Sequence, residues 1–235
     1  MSEDQAVRVN FGRAIPVFPL DRVTLLPQQV LPLHVFEPRY VQMDIESLDT
    51  AGQIAMGVFK GGRWKLEYHG HPPIMPAVCV GQIIQHEKLD DERYNLLIQG
   101  VCRARIVNEM PSEGGRLFRV AMLEPIDIDG ADDVELDEAR EHMEHLLMTN
   151  ELSRLAAAET IIEYVRNDEV PTHALLELVS FVLVTDDRKR YRLLAEPSVR
   201  QRADLLLGEL AHLRSLIRRG EQQLPGEWPK GLSWN

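Results

Sequence analysis

Four polar side chains with acid–base potential crowd into one short stretch of this sequence. The stretch is LPLHVFEPRYVQM, residues 31–43, and the side chains are those of His34, Glu37, Arg39 and Tyr40. Imidazole and carboxylate groups are common proton carriers in enzymes. Local structure explains the same residues without chemistry, because proline is tolerated at the first position of a helix and an acid there faces the positive end of the helix dipole. We therefore predict a strand followed by a helix over residues 38–48, with Val41, Ile45 and Leu48 on its buried face.

Two pairs of histidines have spacings at which metal ligands occur. His142 and His145 lie one helical turn apart beside Glu141 and Glu144, and His69 and His71 flank a glycine in YHGHPP. The segment HEHLL departs from the HExxH zinc signature, and such residues are also typical of a solvated helix face. A plain surface loop is the other interpretation of YHGHPP. We predict neither a metal nor another cofactor.

Two widespread catalytic motifs do not occur in the 235 residues. A phosphate-binding loop needs GxxxxGK[ST], and a nucleophile elbow needs GxSxG. We therefore do not expect nucleotide hydrolysis or an elbow-type serine hydrolase. A hydrolase whose nucleophile, histidine and acid meet only in the folded chain stays an alternative hypothesis.

The formal charge of −11 is unevenly distributed along the chain. Residues 126–169 contain 14 acidic and 3 basic residues, whereas residues 188–219 contain 9 basic and 3 acidic residues. The most concentrated bases are Arg188, Lys189, Arg190, Arg192, Arg200 and Arg202. They favour either an RNA-binding strip or neutralisation against the acidic segment within the fold. The overall acidity opposes nucleic acid, because phosphate binding draws much of its free energy from cationic contacts.

Composition and cysteine usage are typical of a globular protein of the cytoplasm. Hydrophobic residues make up 44% and charged residues 27%, which predicts a folded chain. Cys79 and Cys102 lie in apolar stretches, as expected of buried, reduced thiols. The segment MSEDQAVRVN lacks the apolar core of a signal peptide, and no later run approaches the ~20 apolar residues that span a bilayer. We expect no membrane contact.

Up to about residue 126 the sequence is typical of β structure. Six apolar or alternating runs predict strands over residues 15–20, 30–36, 53–60, 77–88, 94–107 and 117–128. Asp90, Asp91 and Glu92 form a polar turn between the two longest runs. Gly81 and Gly100 interrupt the same two runs and predict bulges that curl the sheet.

After residue 130 the apolar spacing changes to that of helices. Four stripes with helical spacing run from Leu136 to Leu146, Leu155 to Val165, Leu175 to Leu183 and Ala203 to Ile217. Asp132, Thr172 and Ser198 occupy capping positions. Strands followed by helices predict an α+β fold. We divide the chain into a β domain over residues 1–126, a helical bundle over 130–220 and an irregular tail over 221–235.

The ordered series of these motifs resembles the N-terminal substrate-binding domain of the Lon protease family, especially its short stand-alone bacterial members. The resemblance begins with IPVFPLDRVTLLPQQVLPLHVFEPRY and continues through GVF, VGQIIQHEKLDDERYNLLIQGVCRARI and LFRVAMLEP, covering residues 14–126. The helices after residue 130 are similar to the bundle that follows in the family. Leu26, Pro27 and Gln28 depart from the family's usual Phe-Pro-Gly.

The resemblance implies a bent β pseudo-barrel of PUA-like type followed by the helical bundle. It implies structural roles for the motif residues Pro32, Phe36, Glu37, Pro38, Arg39, Tyr40, Gly100 and Arg103. It also implies a non-catalytic, ATP-independent module that holds unfolded or extended polypeptide and works beside a separate protease. The ATPase and Ser-Lys peptidase modules of a full protease of this family have no counterpart in these 235 residues, so we expect no catalysis.

Aromatic residues are the candidates for holding a polypeptide, in a groove between sheet and helices. Phe59, Trp64 and Tyr68 surround the turn KGGRW, and they either anchor a partner or fold inward and complete the core. Trp228 and Trp234 in LPGEWPKGLSWN either strap the tail onto the domain or await a partner. Polypeptide recognition is our leading hypothesis, with an RNA-binding PUA-like protein and a hydrolase as alternatives.

Overall fold

The computed structural model describes residues 7–66, 70–126 and 135–223. The strands in this part of the chain are β1 (Ile15–Leu20), β2 (Val30–Val35), β3 (Gln53–Val58), β4 (Ala77–Lys88), β5 (Tyr94–Glu109) and β6 (Arg119–Pro125). The helices are α1 (Pro38–Leu48), α2 (Asp137–Leu147), α3 (Ala158–Arg166), α4 (Thr172–Leu183), α5 (Asp187–Ala195) and α6 (Val199–Gln223), with a 3-10 turn at Arg63–Lys65. The α+β class and the six predicted strands are confirmed.

Five of the strands close into a small barrel, and β2 lies outside it. The strand order is β2-β5-β4-β3-β1-β6, and β6 also pairs with β5, which completes the ring. β1 and β3 pair in parallel, and the other pairs are antiparallel. The β4–β5 register shifts at Val80/Gly81 and at Ile83/Gln85, so the predicted bulge at Gly81 is confirmed. The long β4–β5 hairpin bends at these bulges and continues past the barrel to meet β2.

Alternation along the barrel strands divides their side chains between two hydrophobic cores. The ring interior holds mostly small residues, because five strands leave little room between them. These residues are Ile15, Val17, Ala55, Val78, Val80, Ala104, Ala121 and Leu123. The opposite face of the same strands packs against α1 and α5 through larger residues such as Phe18 and Met56. Cys79 lies in this outer core and Cys102 against the inner one, and both thiols are free. Burial raises the pKa of the Cys79 thiol, which makes it unreactive.

Helix α1 begins as predicted, and its buried face only partly matches the predicted one. Glu37 is its N-cap and Pro38 its first residue, which confirms the change from strand to helix. Of the predicted face, Val41 and Leu48 are partly buried against the outer core, whereas the prediction for Ile45 was wrong, since Ile45 is 44% exposed. The fully buried residues are Tyr40, Met43, Asp44 and Ser47. Apolar spacing missed this face because two of its four residues are polar.

Asp44 is a buried carboxyl group on α1. Neither of its oxygens has a hydrogen-bond partner among the described residues, and the same holds for the hydroxyl of Ser47, one turn further along. Burial raises the pKa of Asp44 from 3.8 to about 7. The carboxyl group therefore carries its proton through most of the acidic pH range.

Helices α2 to α6 share a separate core, which includes Met143, Ile161, Leu175, Leu193 and Leu206.

Helix α5 was not predicted, because its many bases suggested a charged strip. Asp186 marks its start, since the carboxylate accepts a hydrogen bond from the Lys189 N–H at 3.0 Å. Ser198 caps α6 as predicted, whereas Thr172 is the first residue of α4 rather than its cap. The predicted cap at Asp132 lies outside the described residues.

We call residues 7–126 the β half and residues 135–223 the helical half. They meet at a buried ionic cluster of Arg103, Glu177 and Arg202, which we call the joint. The Arg103 guanidinium on β5 donates to both carboxylate oxygens of Glu177 on α4 at 2.7 Å, and Arg202 on α6 lies 3.9 Å from the same carboxylate. Gln29 donates to the Glu177 carbonyl at 3.3 Å.

A second contact joins the two halves. The Tyr191 hydroxyl of α5 accepts a hydrogen bond from the Ala77 N–H of β4 at 2.8 Å, and burial raises the pKa of that tyrosine. The division into separate domains stays a prediction.

Candidate functional site

The small sheet of β2, β5 and β4 has one face turned away from the core. On β2, Leu31, Leu33 and Val35 pack into the outer core, whereas the side chains of the alternate residues are exposed. The strand register brings matching residues of β5 and β4 to the same side. We call this side the outer face, and it consists of Val30, Pro32, His34, Gln85, Glu87, Asn95 and Leu97. A cavity of about 350 Å³ lies on it.

Three large apolar side chains are exposed on or beside the outer face. Val30 is 41% exposed, Ile84 at the β4 bulge 48%, and Phe36 just after β2 62%. The Phe36 ring lies 6.1 Å from the His34 ring, measured between centroids. Single exposed apolar residues are normal on a protein surface, whereas a group of them marks a candidate contact site. These three residues lie away from the joint, although the groove was predicted between the sheet and the helices. Other large apolar residues, such as Leu66 and Val107, are exposed elsewhere on the protein.

A row of hydrogen-bonded side chains borders the cavity. The Glu87 carboxylate accepts from the Asn95 amide nitrogen at 3.0 Å, which turns the amide oxygen toward His34. His34 Nδ1 donates to that oxygen at 2.8 Å, and its Nε2 accepts from Arg93 at 3.2 Å. Arg93 also pairs with Asp91 and, through its hydrogen bond, lowers the pKa of that carboxyl group. Both ring nitrogens of His34 are thus engaged in hydrogen bonds, which favours binding over proton transfer.

The predicted aromatic anchors are divided between core and surface. Phe59 is buried, and the half-buried Trp64 stacks on it with ring centroids 5.0 Å apart and planes 5° apart. The cavity beside Phe59 measures only about 30 Å³. Tyr68 lies outside the described residues, as do Trp228 and Trp234. Peptide binding by Phe59, Trp64 and Tyr68 stays a prediction.

Most of the motif residues near α1 have a packing explanation. The Glu37 carboxylate accepts from Arg39 at 2.8 Å, and the Arg39 guanidinium lies 4.8 Å from the centroid of the Tyr40 ring. The Tyr40 ring stacks against Phe18 with centroids 4.1 Å apart. Pro38 opens the helix. Pro32 and Phe36 are exposed, so packing does not account for them.

Gly100 is required by the turn that precedes β2. A Cβ atom on it would lie 2.2 Å from the Leu26 carbonyl oxygen, so no other residue fits without movement. The Gln28 N–H donates to the Gly100 carbonyl at 2.7 Å. Gln28 has a φ of 66°, the left-handed conformation that glycine adopts readily. The turn therefore keeps a glycine-type conformation although the family's glycine is replaced.

Most bases of the predicted basic strip are engaged inside the fold. Arg202 belongs to the joint, Lys189 pairs with Glu209, and Arg190 donates to the carbonyls of Val184 and Phe181. Arg200 donates to the Glu135 carbonyl at 3.4 Å, and α2 packs against α6. Arg188 and Arg192 are exposed. These contacts favour neutralisation within the fold over an RNA-binding strip.

The histidine pairs do not form a metal site in the part of the chain that the structure describes. His142 lines a cavity of about 480 Å³ between α2 and α6, together with Glu138, Arg200 and Asp204. No group of three or more His, Cys, Asp or Glu residues suited to a metal occurs among the described residues. His71 is exposed, and His69 lies outside the described ranges.

Known proteins similar to this chain share one domain. The family model of the ATP-dependent protease La (LON) substrate-binding domain matches residues 14–212. A Lon protease of Desulfosudis oleivorans is 27% identical over 94 residues, which are 40% of this chain and 11% of that protein. The chain thus matches only a small part of that relative.

Two solved structures share the fold of this chain. The N-terminal domain of the Mycobacterium avium complex Lon protease has a TM-score of 0.64 at 16% identity, covering 85% of this chain and 98% of that one. The Lon N-terminal domain protein from Xanthomonas campestris has a TM-score of 0.60 at 18% identity, covering 83% and 98%. None of the described helices is both long and apolar enough to cross a bilayer. Because the family model covers most of its length, this chain belongs to the Lon substrate-binding domain family.

Proposed function

We propose that this protein is a recognition module that binds unfolded or extended polypeptide on its outer face and does not cut it. The observation that carries the proposal is the group of exposed apolar side chains at Val30, Ile84 and Phe36. Burying an apolar side chain of this size against a partner contributes roughly 1.5–3 kcal/mol. Aromatic residues such as Phe36 are frequent anchors of such contacts, because they bury a large area with little conformational freedom lost.

The remainder of the outer face supports the same function. The row from Arg93 to Glu87 places hydrogen-bonding groups beside the apolar ones, a combination that suits the amides and side chains of a polypeptide. The family model that matches the chain is a substrate-binding domain. Cleavage of a bound chain is therefore assigned to a separate protease, and no catalytic step is proposed here.

The test measures binding of a permanently unfolded, carboxymethylated protein by fluorescence anisotropy. We expect Phe36→Ser to weaken binding about tenfold, which corresponds to about 1.4 kcal/mol. Leu216→Ser is the control, because Leu216 is also an exposed apolar residue, at 46% against 62% for Phe36. It belongs to α6, which contributes no residue to the outer face. Equal affinities of the two variants for the unfolded protein would exclude the outer face as the binding site. No binding by the wild-type protein would overturn the proposal.

A further inference from the structure

Among the described residues, the backbone of β2 is paired along one edge only. β2 ends the strand order, with β5 as its single neighbour. In an antiparallel pair, every second residue directs its N–H and C=O groups toward the partner strand. The Gly100 N–H donates to the Gln29 carbonyl at 2.8 Å, which fixes the alternation. Leu31 and Leu33 therefore face β5, while the backbone groups of Val30, Pro32 and His34 point to the free edge.

Pro32 makes this free edge selective. Val30 and His34 each offer an N–H and a C=O group, whereas proline offers a C=O group alone. Proline at an outward position is a known protection of edge strands against pairing with one another. If two copies of β2 paired symmetrically about Pro32, the two prolines would face each other and neither would supply a donor. A second copy of this chain paired in this way lacks two donors, whereas a different extended chain meets only the one missing donor of Pro32 and is the better occupant.

The charges beside the edge favour a basic residue in the occupant. The hairpin turn EKLDDER, residues 87–93, contains four acidic and two basic residues. Val35 pairs with Tyr94, so the turn lies beyond the C-terminal end of β2. A strand added antiparallel to β2 begins at that end. A Lys or Arg that precedes the apolar residues of the occupant then lies next to the acidic turn.

We propose that β2 binds an extended segment of another polypeptide as an added antiparallel strand, with alternate apolar side chains on the outer face and a basic residue at its N-terminal end. This inference rests on the proposed function and specifies how the same site works. The added strand gains up to five backbone hydrogen bonds, two from donors and three from acceptors at Val30, Pro32 and His34. Its outward side chains lie beside the exposed ring of Phe36.

The first test uses a fluorescein-labelled peptide of two lysines followed by alternating Val and Thr. Two analogues carry N-methyl groups on alternate amides, one on the amides of the Val residues and the other on those of the Thr residues. Only one set of amides can face β2, so we expect one analogue to bind at least tenfold more weakly and the other within about twofold of the parent. Equal behaviour of both analogues would overturn strand addition. Placing the lysines at the C-terminal end should weaken binding several-fold at low salt, and unchanged affinity would overturn the assigned direction.

The second test changes the protein. His34→Pro and His34→Ala both remove the imidazole, but only proline removes the outward N–H. We expect His34→Pro to bind the peptide about fivefold more weakly than His34→Ala, and Pro32→Ala, which adds a donor, to bind about fivefold more tightly than wild type. Urea unfolding verifies that each variant is folded. If His34→Pro does not fold, Pro32→Ala still tests the proposal.

Amide hydrogen exchange gives a readout that does not depend on substitution. The peptide should slow exchange at the Val30 and His34 amides and leave Leu31 and Leu33 unchanged, because only the first two face the free edge. If the unfolded protein binds but the peptide leaves Val30 and His34 unprotected, strand addition fails while the proposed function stands. If neither ligand binds, both fail.

Discussion

The joint and the outer face reverse the usual placement of charged and apolar groups. The joint buries three charged side chains between the two halves, with Arg103 only 3% exposed. The outer face instead exposes large apolar side chains, with Phe36 62% exposed. A buried charge is tolerated when its partners satisfy it, and the Arg103–Glu177 pair meets that condition through two hydrogen bonds at 2.7 Å. The outer face instead leaves its apolar side chains in contact with solvent, which is the reason we propose it as a binding surface.

Two buried carboxyl groups extend this comparison. Glu177 accepts two hydrogen bonds from Arg103 and lies near Arg202. Asp44 is at least as deeply buried, yet none of the described residues donates a hydrogen bond to its oxygens. The first group has two charged partners, whereas burial without a described partner raises the pKa of the second to about 7. The two carboxyl groups therefore differ in their partners rather than in their burial.

The largest expected effect is at the joint. Glu177→Gln keeps the shape of the side chain but leaves Arg103 buried beside a neutral amide, so we expect the free energy of unfolding to fall by about 3–5 kcal/mol. Urea denaturation measures it. Glu124→Gln is the control, because the Arg105–Glu124 pair is about half exposed, at 3.7 Å, and should change stability by less than about 0.5 kcal/mol. Similar losses of unfolding free energy in both variants would contradict a special contribution of the joint to stability.

The next effect is the pH dependence that comes from Asp44. Its folded-state pKa of about 7 lies above the ordinary value of 3.8, so between these values the folded state binds a proton that the unfolded state has released. Asp44 thus lowers the stability as pH rises from about 4 to about 7, by up to about 1.4 kcal/mol per pH unit. Asp44→Asn should flatten this dependence and be more stable than wild type at pH 8, by about 3 kcal/mol.

Unfolding free energies measured from pH 4 to pH 8 test this contribution. Glu46→Gln serves as the control, since Glu46 is exposed on the same helix and should leave the dependence unchanged. A wild-type stability that does not fall over this range would contradict the assignment to Asp44.

A smaller effect on stability is expected at the outer face. Phe36→Ser removes an exposed side chain, so the free energy of unfolding should change by less than about 0.5 kcal/mol although polypeptide binding weakens about tenfold. Glu177→Gln should show the opposite pattern, with lost stability and nearly unchanged affinity under conditions where it is folded. Thermal unfolding and anisotropy on the same samples compare the two variants. A large loss of stability in Phe36→Ser would show that Phe36 is a packing residue.

The effect expected at the turn before β2 is smaller than the loss of binding at the outer face. Gln28 is held at a φ of 66°, which costs a non-glycine residue about 1–2 kcal/mol. Glycine removes this strain but costs roughly 0.5–1 kcal/mol of chain entropy, so Gln28→Gly should stabilise the protein by about 0.5 kcal/mol. Gln28→Ala is the control that keeps the strain. A urea midpoint for Gln28→Gly at or below that of Gln28→Ala would contradict this account.

The sequence predicted much of the β half because its signals are local. Strand ends agree with Gly, Pro and Asp breaks, and the polar turn at Asp90 to Glu92 lies where β4 and β5 join. The prediction of the helical half was less complete. Helix α5 has few apolar residues, and its buried ones divide between both cores, Leu193 in one and Leu194 in the other. No single apolar stripe marks such a helix.

The candidate site was predicted only in part. Phe36 and Pro32 were identified as motif residues, but with structural roles, because exposure depends on what the fold places around a side chain. Phe59 and Trp64 were proposed as anchors from their type and position, and the fold buries one and stacks the other on it. The outer face joins residues of three strands, and no short pattern connects them.

The amino-acid order by itself determined the strands, most helices and the helix start at Glu37 and Pro38, because each depends on neighbours a few residues away. Only the tertiary structure decided which elements meet. Arg103 and Glu177 are 74 residues apart in the chain, and their contact exists because β5, α4 and α6 converge. The free edge of β2 is likewise decided by topology, since a strand becomes an edge only when the rest of the chain leaves one of its sides unpaired.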